Sequence, residues 1–511
     1  MSQETELKLS LHPADVRRLL AHPVLAAQPS VRARLRNTYF DTPALALMQQ
    51  RMAVRERRVG RRTLLTVKTA GSSVGGLSQR GEWEAPTRPG AFDFEALVDQ
   101  PDLARTLTGL AWQLVPVFRT DFTRRTWLLA HAGSLIEVAL DQGAITTGAA
   151  PGARSEPILE LELELKHGHA DALLDLAHTL ALGPHGQAKQ GLRLHAADRS
   201  KAERGYALFQ GQGPQARKAA PLLLGADMHP VQAFRHAALA GVAHWGEHAQ
   251  GAMCVANASA DGTLPDPEFV HQMRVALRRL RTGLALFAPH LPHRFVAYWR
   301  AEFRALMHQL DAARNWDVLA TEWLPTYLNT AAESEALQTW VAHERHTAWQ
   351  AAAQVLDSPA QSLRMLAFTR ALLALEVPKQ ASKHRALGDW AHTQLQQRYA
   401  RLQREVRHAL QLGPDGRHAL RIQLKQLRYA QEFLSSLLPP KRVERSTAAL
   451  ADAQDYLGRL NDLSTAQTLL ATNDQPWAMA WRAQLAQRLQ TELETLPAME
   501  HALAAAPTPW K

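Results

Sequence analysis

Polar and apolar positions alternate with a period of two through much of the first two hundred residues. The stretch Ile158-Leu159-Glu160-Leu161-Glu162-Leu163-Glu164-Leu165-Lys166 does so most strictly. Alternate residues of a strand point to opposite faces, so Glu160, Glu162, Glu164 and Lys166 share one side and the leucines the other. The opening Glu4-Thr5-Glu6-Leu7-Lys8 repeats the arrangement. Shorter versions occur at Arg55 with Arg57, at Leu64, Thr66 and Lys68, at Arg80, Glu82 and Glu84, and at Glu137, Ala139 and Asp141. Helical periodicity in this half is confined to residues 15–20 and 170–182. Residues 211–221 shift to Gly, Pro, Gln, Ala and Lys, the composition of a surface linker. Long Ala/Leu/Arg/Gln-rich stretches punctuated by Pro or Gly follow, which predicts successive helices to the C-terminus. The pattern predicts a strand-rich domain over 1–208, a linker over 209–222 and an all-helical domain over 223–505.

The chain has 511 residues, too many for one ordinary core, so more than one domain is expected. Its 58 Lys+Arg against 48 Asp+Glu give a formal net charge of +10, which favours an anionic partner. The single cysteine, Cys254, excludes an intrachain disulfide framework and a multi-cysteine zinc site. No basic segment followed by an apolar one opens the chain, and no apolar run reaches the roughly 18 residues of a membrane span. A cytoplasmic protein with no membrane partner is expected.

A solvated charged side on an antiparallel sheet accounts for any one of these strands. Together they gather several carboxylates and cations with little neutral filler, and a closed barrel lined with charge accounts for that better. Clustered carboxylates repel one another and take up protons unless a cation offsets them. With oxygen donors as the available ligands, Mg²⁺ or Mn²⁺ is the expected ion. The interleaved Lys and Arg suit phosphoryl oxygens, so the combined set points to a linear phosphate chain.

The ordered segments Glu4-x-Glu6-x-Lys8, Tyr39-Phe40-Asp41-Thr42-Pro43, Val54-Arg55-Glu56-Arg57, the Lys68 strand, Arg80-x-Glu82-x-Glu84, Ile136 to Gly143 and Glu160-x-Glu162-x-Glu164 resemble the CYTH domain of triphosphate tunnel metalloenzymes. Ser200-Lys201-Ala202-Glu203-Arg204-Gly205-Tyr206 resembles the closing segment of its inorganic triphosphatases. The resemblance implies an eight-stranded antiparallel tunnel that hydrolyses inorganic triphosphate with a divalent metal. It assigns Glu4, Glu6, Glu162 and Glu164 to metal, and Lys8, Arg55, Arg57, Lys68, Arg124 and Lys201 to phosphate. Glu82, Glu137 and Asp141 are further metal or supporting groups.

The helical half contains an internal repeat. His271, Arg274, Arg278 and Arg281 recur as His418, Arg421, Lys425 and Arg428 at one constant displacement, and Arg314-Asn315 falls opposite Asn461-Asp462. On a helix each set falls within an arc of roughly 80°. Between Lys383 and Arg445 there are thirteen Lys+Arg and five acids, a like-charge concentration that suggests a polyanion ligand. The two signatures resemble those of the CHAD domain, which implies two four-helix bundles facing a basic cleft and binding of inorganic polyphosphate. The whole-chain expectation is an α+β N-terminal barrel followed by an all-α domain, with polyphosphate-granule association as a corollary. Asn315 stands where that family's motif has an acid.

Other readings are weaker. Gly71, Gly75 and Gly76 lack the Lys-Ser/Thr ending of a P-loop and read as a hairpin loop. His244 and His248 lie one turn apart without a third ligand, which disfavours zinc. Absence of regular aromatic interleaving disfavours nucleic acid. Thiamine triphosphatase or adenylate cyclase activity in the tunnel, or a non-catalytic polyphosphate-binding protein, are the alternatives.

Overall fold

Among the described residues the alternation is realised as ten strands: β1 (Ser2–Leu11), β2 (Ser30–Asp41), β3 (Ala53–Val59), β4 (Arg62–Lys68), β5 (Ser72–Val74), β6 (Leu77–Thr87), β7 (Val115–His131), β8 (Ser134–Thr147), β9 (Arg154–His167) and β10 (Leu194–Ala196). In this computed structural model the described residues are 2–69, 71–148, 152–187, 190–258, 263–328, 334–377, 387–406 and 413–509. The strands pair in the order β10-β1-β9-β8-β7-β2-β3-β4-β6-β5, and β1 also pairs with β6. That last pairing closes β1, β9, β8, β7, β2, β3, β4 and β6 into an eight-stranded antiparallel ring, with β5 and β10 added outside it. Closure removes the free edges that an open sheet would leave.

Register decides what faces inward. Glu6 lies opposite Glu164 and Lys8 opposite Glu162 across β1 and β9, and Glu164 in turn lies opposite Glu137 across β8 and β9. A one-residue slip would turn the leucines into the lumen. Instead Leu7, Leu9, Leu161, Leu163, Val138 and Leu140 form an outer core beneath the helix Asp171–Ala181. Leu65, Val67, Val54 and Trp83 form a second core against Phe94, Val98, Ala104 and Leu107. Of these, Phe94, Ala104 and Leu107 belong to the helices Phe94–Leu97 and Pro101–Leu110, which the periodicity did not reveal, and Val98 follows the first of them. Pro101–Leu110 buries only Ala104 and Leu107, too few positions to stand out in the pattern.

The glycines resolve as a hairpin. Val74 pairs with Leu77 around Gly75 and Gly76, which have φ of 61° and 83°. A Cβ on Gly76 would lie 2.5 Å from the Lys8 carbonyl oxygen, and the Lys8 amide donates to the Gly76 carbonyl at 2.8 Å.

The second half is helical. Six of its helices, Pro230–Ala258, Pro267–Leu286, Pro359–Leu373, Pro414–Leu434, Pro440–Leu470 and Pro476–Glu494, open on the proline that the sequence places there. The fixed φ of proline suits the first helical position, and its missing N–H leaves no orphan donor. Among the described residues no helix is long and apolar enough to cross a membrane. The chain divides into two compact units: 1–215 with 246–254 and 356–374, and 216–245 with 255–355 and 375–511. In the first, Leu363 and Leu366 of Pro359–Leu373 enter the core formed by the β-ring and Asp171–Ala181.

Candidate functional site

Two walls of charge line the ring. On the β7–β8–β9–β1 wall, the closing helix Lys201–Gln210 drives the Lys201 ammonium between three carboxylates, at 2.8 Å from Asp141, 2.7 Å from Glu160 and 2.8 Å from Glu162. Arg124 grips Asp141 with two hydrogen bonds of 2.7 Å and also donates to Glu162. Burial alone would raise the Glu162 carboxyl, but Lys201, Arg124 and Lys8 outweigh it and hold it well below the ordinary range. Burial disfavours the charged form of Lys201 too, and its three carboxylates reverse that and raise it. Glu160 is likewise depressed against burial by Lys201, Arg204 and Lys8. The helix that carries Lys201 starts at a capping box, in which Ser200 accepts from the Glu203 amide and the Glu203 side chain accepts from the Ser200 amide.

The β2–β3–β4–β6 wall is built on Arg55. Its Nη1 donates to the Tyr39 hydroxyl at 3.4 Å, and its Nη2 lies 3.5 Å from Glu82. Lys68 lies 2.7 Å from the other oxygen of Glu82. Arg57 donates to Asn37 at 3.2 Å and lies 3.4 Å from Glu84, which accepts from Thr66. The Nε and Nη2 of Arg55 are buried without a hydrogen-bond partner among the described residues. Burial, then Arg55, push the Arg57 guanidinium down to about 10; Glu84 opposes them, and Arg124 of the other wall pushes the same way. Both walls therefore enclose one lumen. Burial would raise the Tyr39 phenol, yet Arg55, Lys68 and Arg57 hold it below its usual value, so cations dominate the potential around it.

The phosphate-type candidates Lys8, Arg55, Arg57, Lys68, Arg124 and Lys201 thus all project into the ring. The carboxylate candidates divide. Glu6, Glu164 and Glu137 stand in one row on three adjacent strands, with Lys166 at 2.7 Å from Glu164 and 3.8 Å from Glu137. Glu6 receives Ser78 at 3.2 Å and Lys8 at 3.5 Å. Glu162, Asp141 and Glu82 are engaged by the cations above. Glu4 pairs through its backbone with Arg80, and both of their side chains lie outside the described residues. Among the described residues no three acidic, histidine or cysteine side chains are gathered closely enough to hold an ion. The row of Glu6, Glu164 and Glu137 nevertheless fits a hard divalent cation in donor chemistry: all ligands are oxygens, and an ammonium already sits between two of them.

Asn37, Tyr39, Thr66, Glu84, Glu160 and Arg204 are lumen groups that the sequence reading did not assign to the site. Arg204 is paired with Glu156 at 2.6 Å and with Glu160. The signal for Asn37 and Tyr39 was the same period of two, masked because their inward side is mixed in polarity.

In the second unit the two repeats converge. The helices Pro267–Leu286 and Pro414–Leu434 join where Arg278 donates to the Tyr429 hydroxyl at 3.1 Å and Arg279 pairs with Glu432 at 2.9 Å. Burial, then Arg421 and Arg278, push the Lys425 ammonium down to about 6. Burial, then Arg314, Arg278, Lys425 and Arg274, push the His271 imidazole down to about 3. Arg274, Arg278, Arg314 and Arg421 therefore form one cationic cluster around His271 and Lys425. Arg281 feels Arg304 and Arg300 instead, Arg428 pairs with Glu432 at 3.6 Å, and His418 contacts Asn461 at 3.3 Å. The missing acid at Asn315 is supplied one turn earlier: Asp311 pairs with Arg274, while Asp462 lies 4.0 Å from Arg421 in the second repeat. His244 hydrogen-bonds Gln272 at 3.0 Å.

Comparison with known families matches residues 2–206 to the CYTH domain and 238–471 to the CHAD domain. An inorganic triphosphatase of Haemophilus influenzae is 34% identical over 225 residues, which is 42% of this chain and 56% of that protein. The chain thus spans about half the length of that relative. Among solved structures, the CHAD domain of the plant Ricinus communis is 28% identical, covering 58% of this chain and 99% of that one at a TM-score of 0.48. A putative adenylyl cyclase from Hippeastrum, described as having a dominant triphosphatase activity, is 17% identical over 41% of this chain and 96% of that one at a TM-score of 0.29.

Proposed function

We propose, for a chain that carries a CYTH domain followed by a CHAD domain, that the β-ring hydrolyses inorganic triphosphate and that the basic cluster of the helical unit binds inorganic polyphosphate. The observation that carries the first reading is Arg55, whose buried Nε has no hydrogen-bond partner among the described residues and whose Nη2 has only the 3.5 Å ion pair with Glu82, in a lumen shared with Arg57, Lys68, Arg124 and Lys201. Buried donors without acceptors are costly, and phosphoryl oxygens are acceptors of matching charge and geometry.

In this reading the six cations bind and align the phosphate chain. Asp141 orients Arg124 through both of its oxygens, and Glu160 and Glu162 fix Lys201. Glu82 holds Lys68 against Arg55. Water adds to the terminal phosphorus, the bridging P–O bond breaks, and pyrophosphate leaves with its charge spread over these cations. A divalent ion would be held by Glu6, Glu164 and Glu137 and would supply charge neutralisation and a more acidic bound water.

Preference for inorganic triphosphate over a nucleoside or thiamine ester rests on the aromatics. Tyr39 is stacked on Phe118 at 4.4 Å, and Phe118 also meets Tyr206 edge-on. These rings are committed to packing and offer no open face to a base. Phosphate release is to be measured with inorganic triphosphate, ATP and thiamine triphosphate, each with Mg²⁺ or Mn²⁺. Inorganic triphosphate is expected to be the best substrate, with Arg55→Ala lowering its kcat by about 100-fold or more, the usual loss for one oriented donor. ATP as the best substrate would overturn the substrate assignment. No release from any of the three, with polyphosphate still bound, would favour a binding protein.

A further inference from the structure

The outer face of the ring carries an arginine field that the lumen chemistry does not use. On β2, whose inward positions are Leu35, Asn37 and Tyr39, the outward positions are Arg32, Arg34 and Arg36. Arg32 lies directly opposite Arg125 of β7, and Arg36 directly opposite Arg58 of β3. Arg119 stands two positions before Asp121, the partner of Arg36 in register. Arg32, Arg58 and Arg119 are exposed, and the side chains of Arg34 and Arg36 are 62% and 55% exposed.

Like charges directly opposite on neighbouring strands destabilise a sheet. Two such pairs occur here, four residues apart along β2 and on its two sides, and the carboxylates Asp121 and Glu56 offset the six arginines of this face only in part. Asp121 is shared by Arg34 at 2.8 Å and Arg36 at 3.4 Å. Glu56 lies opposite Thr38 and accepts from the Gly90 amide. Arg125 and Arg58 donate to neutral oxygens, those of Ser30 and the Gly60 carbonyl. Alternate residues along a strand are spaced by about 6.7 Å and neighbouring strands by about 4.8 Å, so the backbone positions that carry these arginines form a closely spaced grid.

We propose that this outer face of β7–β2–β3 is a second docking surface for linear inorganic polyphosphate, which the arginine grid holds outside the lumen. The proposal rests on the reading of the chain as a phosphate-chain protein and adds a site to it. Charge complementarity selects a polyanion. The lack of a stacking platform selects one without bases: the positions between the arginines are Thr38, Thr123 and Thr63, Phe40 is packed edge-on against Phe92 at 5.0 Å, and Trp127 is buried.

The test uses the full chain in four forms: unaltered, the outer-face triple Arg32→Gln/Arg58→Gln/Arg119→Gln, the helical-cluster double Arg278→Ala/Lys425→Ala, and all five changes together. Binding of long-chain polyphosphate is measured against salt, with hydrolysis of free triphosphate and thermal unfolding as controls. The triple is expected to weaken binding about tenfold or more, in the double's background as well, and to reduce the slope of log K against log salt by about 2. Triphosphate hydrolysis should be unchanged and the melting temperature no lower, since repulsion is relieved. Equal affinity and equal salt slope with and without the triple, in both backgrounds, would overturn the proposal. So would single-stranded RNA of equal charge binding this face as tightly and displacing polyphosphate. Failure of the tunnel reading would show separately, as no triphosphate release from the unaltered chain.

Discussion

Lys201 shows how far one side chain can organise a lumen. It is 7% exposed and contacts Asp141, Glu160 and Glu162, so one buried ammonium is shared by three carboxylates from two strands. Removing it leaves those charges uncompensated, and Lys201→Met should cost about 3–5 kcal/mol of stability at neutral pH by urea unfolding. The pH dependence has a definite sign. Glu160 and Glu162 sit below their ordinary value of 4.5 in the folded state, so in acid the unfolded chain binds more protons than the native one. Stability from these groups is therefore complete above about pH 4.5 and is lost as pH falls toward their folded values. The Met variant should lose much of that acid dependence. Lys425 behaves differently. Its folded value of about 6 lies below its ordinary 10.5, so between them the unfolded chain holds a proton that the native chain lacks. Stability from this group rises with pH across that window. An anion prefers the ammonium, so polyphosphate affinity should fall as pH rises through 6. Calorimetric titration should find about tenfold weaker binding at about pH 8 than at about pH 5.5, the worth of one charged hydrogen bond. Lys425→Arg, charged throughout, should flatten the dependence.

At the scale of elements, the closing helix Lys201–Gln210 sets the position of the lysine. Its Gly205 lies against the Phe118 ring, where an added Cβ would come within 2.1 Å of ring carbon. Phe118 is held between Tyr39 and Tyr206, so it has nowhere to yield. Gly205→Ala should therefore displace the helix and Lys201 with it, lowering triphosphate turnover more than Ser200→Ala, which removes only a cap worth about 1 kcal/mol. Measuring kcat for both variants separates displacement from simple loss of stability; equal effects would contradict this account. The same element marks the limit of what the sequence discloses. The charged strands were legible because alternation is local, and Glu6, Lys8, Arg55, Arg57 and Lys68 follow from it. Lys201 was legible only through likeness to a known closing segment, because no local pattern says that a helix end will enter a barrel. The row of Glu6, Glu164 and Glu137 needs strand register, which joins residues far apart in the chain. Asp311, the substitute for the acid missing at Asn315, is displaced by one helical turn and so falls outside the constant spacing of the repeat.

At the scale of the whole molecule, the boundary read from composition differs from the compact unit the chain builds. Composition places a linker at 209–222, yet the first unit also takes in residues 246–254 and 356–374. The reason is apolar surface. The outward leucines of β1 and β9 and the helix Asp171–Ala181 form one core with Leu363 and Leu366, which are 8% and 2% exposed. Polar contacts surround it: Arg193 pairs with Asp357 at 3.2 Å and with Asp15 at 2.8 Å, and Arg370 pairs with Asp175 at 3.0 Å. A β-ring cut off at residue 222 would expose what Leu363 and Leu366 cover. At about 1.5–3 kcal/mol for each buried leucine, the loss is about 3–6 kcal/mol, comparable to the whole stability of an ordinary domain. Residues 1–222 alone should accordingly unfold at lower urea than the ring within the full chain, and should bind a hydrophobic dye. In the full chain, Leu363→Ala/Leu366→Ala should reproduce most of that shift while leaving the lumen residues in place. If the isolated segment proves as stable as the ring in the full chain, the helix Pro359–Leu373 rests on the core without supporting it, and the linker read from composition is the true boundary.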